Sequence, residues 1–138
     1  MAFVAARNSS FKLDNAAGTL TDISTYVDSV GGIANTTDML DTTTFGATSK
    51  TFAPGLRNGD TITVSGKWDS TLNTQITGLL GLATSSSFDY SPAGTTAGLP
   101  KVTGECFVTS YEVSSSVADL VTFSLSLQIS GAVTHGTN

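Results

Sequence analysis

The strongest pattern in this chain of 138 residues is a strict alternation of apolar and polar side chains across residues 119–131. The apolar positions are Val121, Phe123, Leu125, Leu127 and Ile129, and the polar positions are Thr122, Ser124, Ser126, Gln128 and Ser130. Successive side chains of a strand point to opposite faces, so the alternation predicts one long strand with a buried face and a wet face. The wet face carries only hydroxyls and one amide, which indicates a hydrated, non-adhesive surface or one that meets another subunit.

A second alternating run covers residues 61–68. Its apolar face is Ile62, Val64, Gly66 and Trp68, and its wet face is Thr61, Thr63, Ser65 and Lys67. Helical spacing follows at once, because Asp69 and Ser70 are typical of an N-cap and apolar residues recur three or four positions apart. These apolar residues are Leu72, Ile76, Leu79 and Leu80. We predict a short amphipathic helix over residues 70–81, weakened by Gly78.

Less regular patterns predict further strands at residues 10–14, 22–30, 88–90 and 101–113. The last of these has apolar side chains on both faces and is therefore expected to be covered on both sides. Asn58-Gly59 lies between two extended segments and predicts a hairpin turn. Residues 132–138 are expected to form a flexible tail.

Residues 33–51 show no sustained period. So long an irregular segment in a compact domain is usually functional, and we expect an arm that contacts a neighbouring subunit. Its apolar side chains are Ile33, Met39, Leu40 and Phe45. Together these elements predict a mainly β fold in a single domain, residues 1–138. We expect a β-sandwich or small barrel of antiparallel strands with one flanking α-helix and a long irregular arm.

Charged residues make up 12% of the chain, about half of the usual ~25% in a soluble domain. So little charge protects a monomer poorly against association, which favours a protein largely covered by copies of itself. An extracellular β-domain rich in serine and threonine is the alternative. The net charge of −5 argues against a nucleic-acid-binding protein, which needs a basic surface.

The chain offers little catalytic chemistry. His135, the one histidine, falls in the predicted tail, and Cys106, the one cysteine, falls at a buried strand position without a histidine partner. Asp38 and Asp41 lack a third acidic ligand nearby. We therefore expect no enzyme, cofactor or metal. No signal peptide or membrane-spanning stretch is readable, so synthesis in a cytoplasm is expected.

Several segments, in this order and spacing, resemble bacteriophage major tail (tail tube) proteins of the long-tailed type. They are DISTYV at 22–27, DTTTFG at 41–46, the approach through Phe52, Gly55 and Leu56, the strand 61–68 with its helix, and the closing strand 121–131. The resemblance spans residues 10–133. It implies a virion structural protein, made in the host cytoplasm, whose hexameric rings stack into a tube that conducts the genome.

The resemblance also implies other tail proteins as partners: the tape measure, the tail terminator and the tail tip. DNA would pass through without specific binding, along a lumen lined by the wet faces. The predicted lumen residues are Thr63, Ser65, Thr122, Ser124, Ser126 and Gln128. Other interpretations stay open here: a capsid decoration or head–tail joining protein, a gene-transfer-agent or secretion tube, or a non-viral sugar- or receptor-binding β-domain.

Overall fold

The computed structural model describes residue 3, residues 5–33 and residues 35–138. It is 53% strand and 10% helix, which confirms the mainly β prediction. The strands are β1 (Ser10–Asp14), β2 (Leu20–Asp22), β3 (Val27–Gly31), β4 (Asn35–Asp41), β5 (Phe52–Gly59), β6 (Thr61–Lys67), β7 (Ser86–Ser91), β8 (Pro100–Ser114) and β9 (Thr122–Thr137). The helix α1 is Ser70–Leu79, and a 3-10 turn covers Ala6–Asn8.

Seven strands form one antiparallel sheet in the order β2-β1-β7-β8-β9-β6-β3, and β4 and β5 form a separate two-stranded sheet. Within the described residues the large sheet is not a closed barrel, because β2 and β3 remain at its two edges. The antiparallel arrangement and the single α-helix are as predicted, whereas full barrel closure is not seen.

The large sheet is strongly curled. Residues 23–26 join β2 on one edge to β3 on the other, and this link spans at most about 18 Å. Seven flat strands would be roughly 29 Å wide, so the edges must bend toward each other. The link is hydrogen-bonded to both sides: the Ile23 N–H donates to the Phe11 carbonyl (3.1 Å) and the Lys67 N–H to that of Tyr26 (2.8 Å).

One face of the sheet carries the core, and α1 packs on that face. Leu72, Ile76 and Leu79 on one side of the helix are buried with the strand residues Leu125 and Leu127. Full burial of a side chain of this size contributes about 1.5–3 kcal/mol. The helix begins as predicted, with the Asp69 carboxylate accepting the Thr71 N–H at 3.0 Å. The hydrophobic spacing of residues 70–81 is thus explained by burial against the sheet.

The structure corrects the prediction of an irregular arm. Residues 35–41 form β4, which pairs with β5, and residues 42–51 are a loop, whereas residue 34 of the predicted arm lies outside the described residues. Neither face of this hairpin is buried, and the register shifts between Thr37 and Met39, so no hydrophobic period could reveal the strand. Asn58-Gly59 is not a hairpin turn, because both residues end β5 and the chain continues into β6 after Asp60. A Cβ on Gly59 would overlap the Ile129 side chain, so close packing explains this glycine.

Two further boundaries differ from the sequence predictions. The predicted strand 22–30 is split into β2 and β3 by the link described above. The predicted tail is ordered strand, because β9 continues to Thr137 and pairs with β8 as far as Pro100. The Asn138 side-chain amide then donates to the carbonyls of Gly94 and Leu99, both at 3.1 Å. The alternation breaks at Gly131, which has a φ of 85°, and this break hides the continuation of the strand.

Candidate functional site

The wet sides of β6 and β9 form a single surface. Directly opposed residues share a face, and the opposed pairs are Thr61 with Gln128, Thr63 with Ser126, Ser65 with Ser124, and Lys67 with Thr122. We call this surface the hydroxyl face. All six predicted lumen residues lie on it, half-buried or exposed, whereas Phe123, Leu125, Leu127 and Ile129 are buried on the other side. The facing predicted for both strands is confirmed; the lumen role stays a prediction.

The hydroxyl face continues over the neighbouring strands. On one side Ser29 of β3 opposes Ser65, and on the other side Ser110 of β8 opposes Ser126. Four adjacent strands, β8-β9-β6-β3, therefore present one polar surface. Side chains partly satisfy one another there, since the Thr61 hydroxyl donates to the Gln128 side-chain oxygen at 3.0 Å.

The charges on this surface are few and unbalanced. Lys67 forms an ion pair with Asp28 at 3.3 Å, and each side chain is more than half exposed. Two carboxylates lie on the same side of β8, with Glu112 opposite Ser124 and Glu105 opposite Ser130. Sequence reasoning missed both glutamates, because a register shift in β8 between Val108 and Ser110 determines which residues share a face. The surface is thus weakly acidic.

That same register shift corrects the prediction that β8 has two apolar faces. Tyr111 opposes Leu125 and Val113 opposes Phe123, so both residues lie on the side that carries the core. The shift places one extra residue in β8. After it, odd-numbered residues lie on the face that even-numbered residues occupy before it. Phe107 opposes Gln128 and is the apolar exception on the polar side.

The four-stranded surface has free backbone edges on both sides. Within the described residues, β3 pairs only with β6, and β7 pairs with β8 only as far as Cys106. Among the described residues, no strand pairs with the outer edge of β8 over residues 107–114. Unpaired strand edges are templates for pairing with another chain.

The hairpin β4–β5 presents apolar side chains to solvent. Met39 and Leu40 are each 57% exposed, Phe52 is 53% exposed, and Phe45 in the loop is fully exposed. Ile33 differs from the other predicted arm residues, because it is half-buried against the core. At the loop start, the Thr43 N–H donates to the Asp41 carboxylate (2.9 Å), which lowers the pKa of Asp41.

The side chains that could act in catalysis or bind a metal include the single cysteine, Cys106, and the single histidine, His135. Cys106 is fully buried and its thiol lies 3.4 Å from the Ser86 carbonyl; burial raises its pKa to about 12, so it is a poor nucleophile at neutral pH. His135 lies within β9 opposite Val102, not in a fraying tail, and is exposed. No three histidine, cysteine, aspartate or glutamate side chains come together as a metal site in the part of the chain that the structure describes.

Trp68 forms an internal connection between helix and sheet. Its indole N–H donates to the Tyr111 hydroxyl at 3.0 Å, and that hydroxyl donates to the Asn73 side-chain oxygen at 3.0 Å. Burial raises the pKa of Tyr111 above its ordinary value. Trp68 thus joins the end of β6 to α1 and β8.

Two open clefts flank the four strands. One, of about 420 Å³, lies between β3 and the start of β1, with Arg7 and Tyr90 in its wall. The other, of about 500 Å³, lies at the turn between β8 and β9, beside Lys67, Asp119 and Leu120. Val117 and Leu120 are exposed apolar residues of this turn that the sequence analysis did not single out.

No protein-family model and no curated protein sequence matches the chain. Solved structures do match. A chain from the tail of an empty gene transfer agent particle has a TM-score of 0.77 at 14% identity, covering 97% of this chain and 99% of that one. A chain from the sheath–tube complex of the PVC extracellular contractile injection system has a TM-score of 0.74 at 18% identity, covering 99% and 93%.

The SPP1 tail tube is similar too, with a TM-score of 0.70 at 14% identity and coverage of 99% of this chain and 80% of that one. Within the described residues, no helix combines the length and hydropathy needed to cross a bilayer. The curled seven-stranded sheet with its flanking helix and projecting hairpin is thus the fold of chains from phage and phage-like tails and tubes.

Proposed function

We propose that this protein is a tail tube subunit, a virion structural protein whose copies form hexameric rings that stack into a conduit for DNA. The observation that carries the proposal is the hydroxyl face, extended over four adjacent strands and bounded by two free edges. The fold shared with tail and tube chains supports it. No enzymatic activity is part of this proposal.

The free edges provide a way to close a ring. The outer edge of β3 in one copy pairs with residues 107–114 of β8 in the next, so that the four strands continue around the ring. Six copies would give about 24 strands, spaced ~4.8 Å and tilted ~40°, and a barrel roughly 45–50 Å across. Barrels of 16–18 strands already leave an aqueous channel, so this one would be wide. Closure also removes the exposed edges.

The hydroxyl face suits the passage of DNA. Affinity for the phosphate backbone comes mainly from clustered lysine and arginine, and the only cation among the facing residues of β6 and β9 is the paired Lys67. Glu105 and Glu112 add negative charge, which repels phosphates. DNA therefore slides along a hydrated wall without a specific site.

The hairpin contacts the neighbouring ring. Met39, Leu40 and Phe45 are the contact residues in this proposal, whereas half-buried Ile33 supports the base of the hairpin. In a tail, the end rings would meet the tape measure, terminator and tip proteins. A gene-transfer-agent or secretion tube would use the same subunit surfaces.

The lumen assignment is tested with Ser124→Lys, and Ser124→Thr is the matched control. Each ring would gain six cations, one from each copy, and the stacked rings would attract phosphates along the whole tube, most strongly at low salt. We expect both variants to form tubes in negative-stain images, and the lysine variant to eject DNA more slowly at low salt. Equal ejection rates for the two variants would show that Ser124 does not line the lumen. If only the lysine variant fails to assemble, Ser124 lies in a subunit interface instead.

A further inference from the structure

The turn between β8 and β9 carries a second exposed apolar group. In residues 115–121, Val117 is fully exposed and Leu120 is 69% exposed. Leu120 borders the cleft of about 500 Å³, whose other walls are Lys67, residues 114–116, Asp119 and Thr122. We call this surface the turn cleft. Nothing in the described part of the chain covers it.

The hairpin loop carries a matching group. Phe45 in the loop 42–51 is fully exposed, and Gly46 beside it has a φ of 84°, which places the phenylalanine at a tight bend. Met39 and Pro54 oppose each other on one side of the hairpin, so the apolar surface extends back from the loop. A two-stranded hairpin is marginally stable in isolation, so this surface needs a partner.

The two groups lie at opposite ends of the strands. Lys67 opposes Thr122, and Thr122 opposes Ser114, so the turn cleft lies at one end of β6. Thr61 begins β6 at the other end, and β5 leads from there into the hairpin. The seven residues of β6 separate these ends by about 20 Å. Complementary surfaces at opposite ends are suited to a head-to-tail contact, which does not close on itself and so extends without limit.

The charges complement each other as well. Lys50 is the only charged residue of the loop 42–51, and Asp119 is the only charged residue of residues 115–121. A loop that carries one cation would therefore meet a turn that carries one anion, because Lys67, the cation in the cleft wall, is ion-paired with Asp28. The same complementarity disfavours loop-to-loop and turn-to-turn contacts, which would oppose like charges.

We propose that the turn cleft receives the hairpin loop of a second copy, with Phe45 packed against Val117 and Leu120 and with Lys50 beside Asp119. This inference rests on the proposed function, for it names the surface on which the hairpin docks in the next ring. Such a contact gives the tube a direction, with every hairpin pointing the same way.

Cross-linking tests the contact. Phe45→Cys and Leu120→Cys are combined in a Cys106→Ala background, tubes are assembled, and a short bismaleimide is added. Each copy then links to one copy above and one below, so denaturing gels should show a ladder that continues beyond six subunits. Mixing the two single-cysteine proteins should give dimers only. Phe45→Cys with Thr84→Cys, a position in another exposed loop, serves as the control pair and should give no ladder.

A charge exchange supplies a second measurement. Asp119→Lys should shorten the tubes at low salt, and Lys50→Glu added to Asp119→Lys should restore their length. Tubes without cross-links, or a ladder that stops at six, overturn the docking contact but leave the proposed function intact. If the cysteine variants fail to form tubes, the charge exchange decides: restored length supports the contact, and no restoration overturns it. Failure of the unaltered protein to form tubes contradicts the proposed function itself.

Discussion

Single glycines allow close approach between strands at two places in the sheet. Gly59 leaves room for the Ile129 side chain, and Gly66 leaves room for the backbone of residues 26 and 27. At Gly66 the neighbouring Lys67 N–H also donates to the Tyr26 carbonyl at 2.8 Å. The edge strand β3 therefore joins β6 only because the residue beneath it has no side chain.

We expect Gly66→Ala to lower the free energy of unfolding by about 2–3 kcal/mol, because its Cβ would overlap backbone that cannot move aside. Gly31→Ala is the matched control: a Cβ there has no neighbour within 4 Å, so little change is expected. Urea denaturation of the two variants measures the difference. Equal stability would mean that β3 is not held against β6 as described.

Because the thiol of Cys106 is buried, we expect the protein to lose unfolding free energy at alkaline pH. Burial raises its pKa from 9.0 to about 12, with Glu105 and Asp14 adding to the shift. The unfolded thiol ionises near pH 9 while the folded thiol stays protonated, so its contribution to stability is complete below pH 9 and falls as the pH rises toward 12.

Cys106→Ala should remove this part of the pH dependence. Between pH 8 and pH 10.5 the unaltered protein should lose roughly 2 kcal/mol more unfolding free energy than the variant. Denaturation curves at both pH values measure the loss, and the comparison cancels the lysines and tyrosines common to both proteins. The same loss in both would show that the thiol is not protected from ionisation.

The facing of β6 and β9 was predictable from the sequence because one side of each strand is buried in the core. The positions of Glu105 and Glu112 were not predictable, since they depend on a register shift that no local pattern reveals. Val117 is fully exposed, so neither side of the chain is buried there. The alternation of apolar and polar residues therefore cannot indicate what Val117 contacts.

Among the elements, α1 is the one most firmly fixed by side-chain contacts. Asp69 caps its first turn, and Gln75 donates to the Leu13 carbonyl at 3.0 Å. The Trp68–Tyr111–Asn73 hydrogen bonds join it to β6 and β8. Its cap and apolar spacing made this helix readable from the sequence, although the C-terminal end comes two residues earlier than predicted.

Asp69→Ala should cost about 1 kcal/mol of unfolding free energy, because the Thr71 N–H loses its acceptor. Asp69→Asn keeps an acceptor oxygen and should cost less than half of that. Thermal unfolding followed by circular dichroism measures both. A larger loss for asparagine than for alanine would be inconsistent with a capping role.

The strands that sequence reasoning missed or merged share one property: no regular local alternation of apolar and polar residues marks them. β4 belongs to a hairpin with both faces exposed, and the last residues of β9 follow an irregularity at Gly131. β2 and β3 are short and lie at opposite sheet edges, so only the tertiary arrangement separates them. Pairing with a distant strand supplies the order that local pattern lacks.

At the scale of the whole molecule, the hairpin and the core are nearly independent. Within β4 and β5, the described residue buried in the core is Gly59, at the junction with β6. The hairpin therefore contributes little to folding of the subunit, which agrees with the role in ring stacking that we propose for it.

Replacing residues 38–56 by Asn-Gly should leave the fold intact and prevent stacking. Thr37 and Arg57 oppose each other, so a two-residue turn can join them. We expect the free energy of unfolding to change by less than about 1 kcal/mol, since no core side chain is removed. Circular dichroism and negative-stain microscopy measure the two effects. Full-length tubes from the shortened protein would contradict the role of the hairpin in ring stacking. An unfolded protein would show that the subunit needs the hairpin to fold.

The four-residue link between the sheet edges has a consequence for folding kinetics. The sheet whose edges it joins pairs strands that are far apart in sequence: Lys67 and Thr122, which oppose each other, are 55 positions apart (122 − 67). Leu13 and Phe88 are 75 positions apart (88 − 13). Such non-local pairing makes folding slow, on the order of milliseconds to seconds. The β8–β9 hairpin can form early because its strands are close in sequence, whereas the partner of β3 is the more distant β6. Until these distant strands have paired, their edges are exposed, and neighbouring chains can pair with them before the sheet has finished curling.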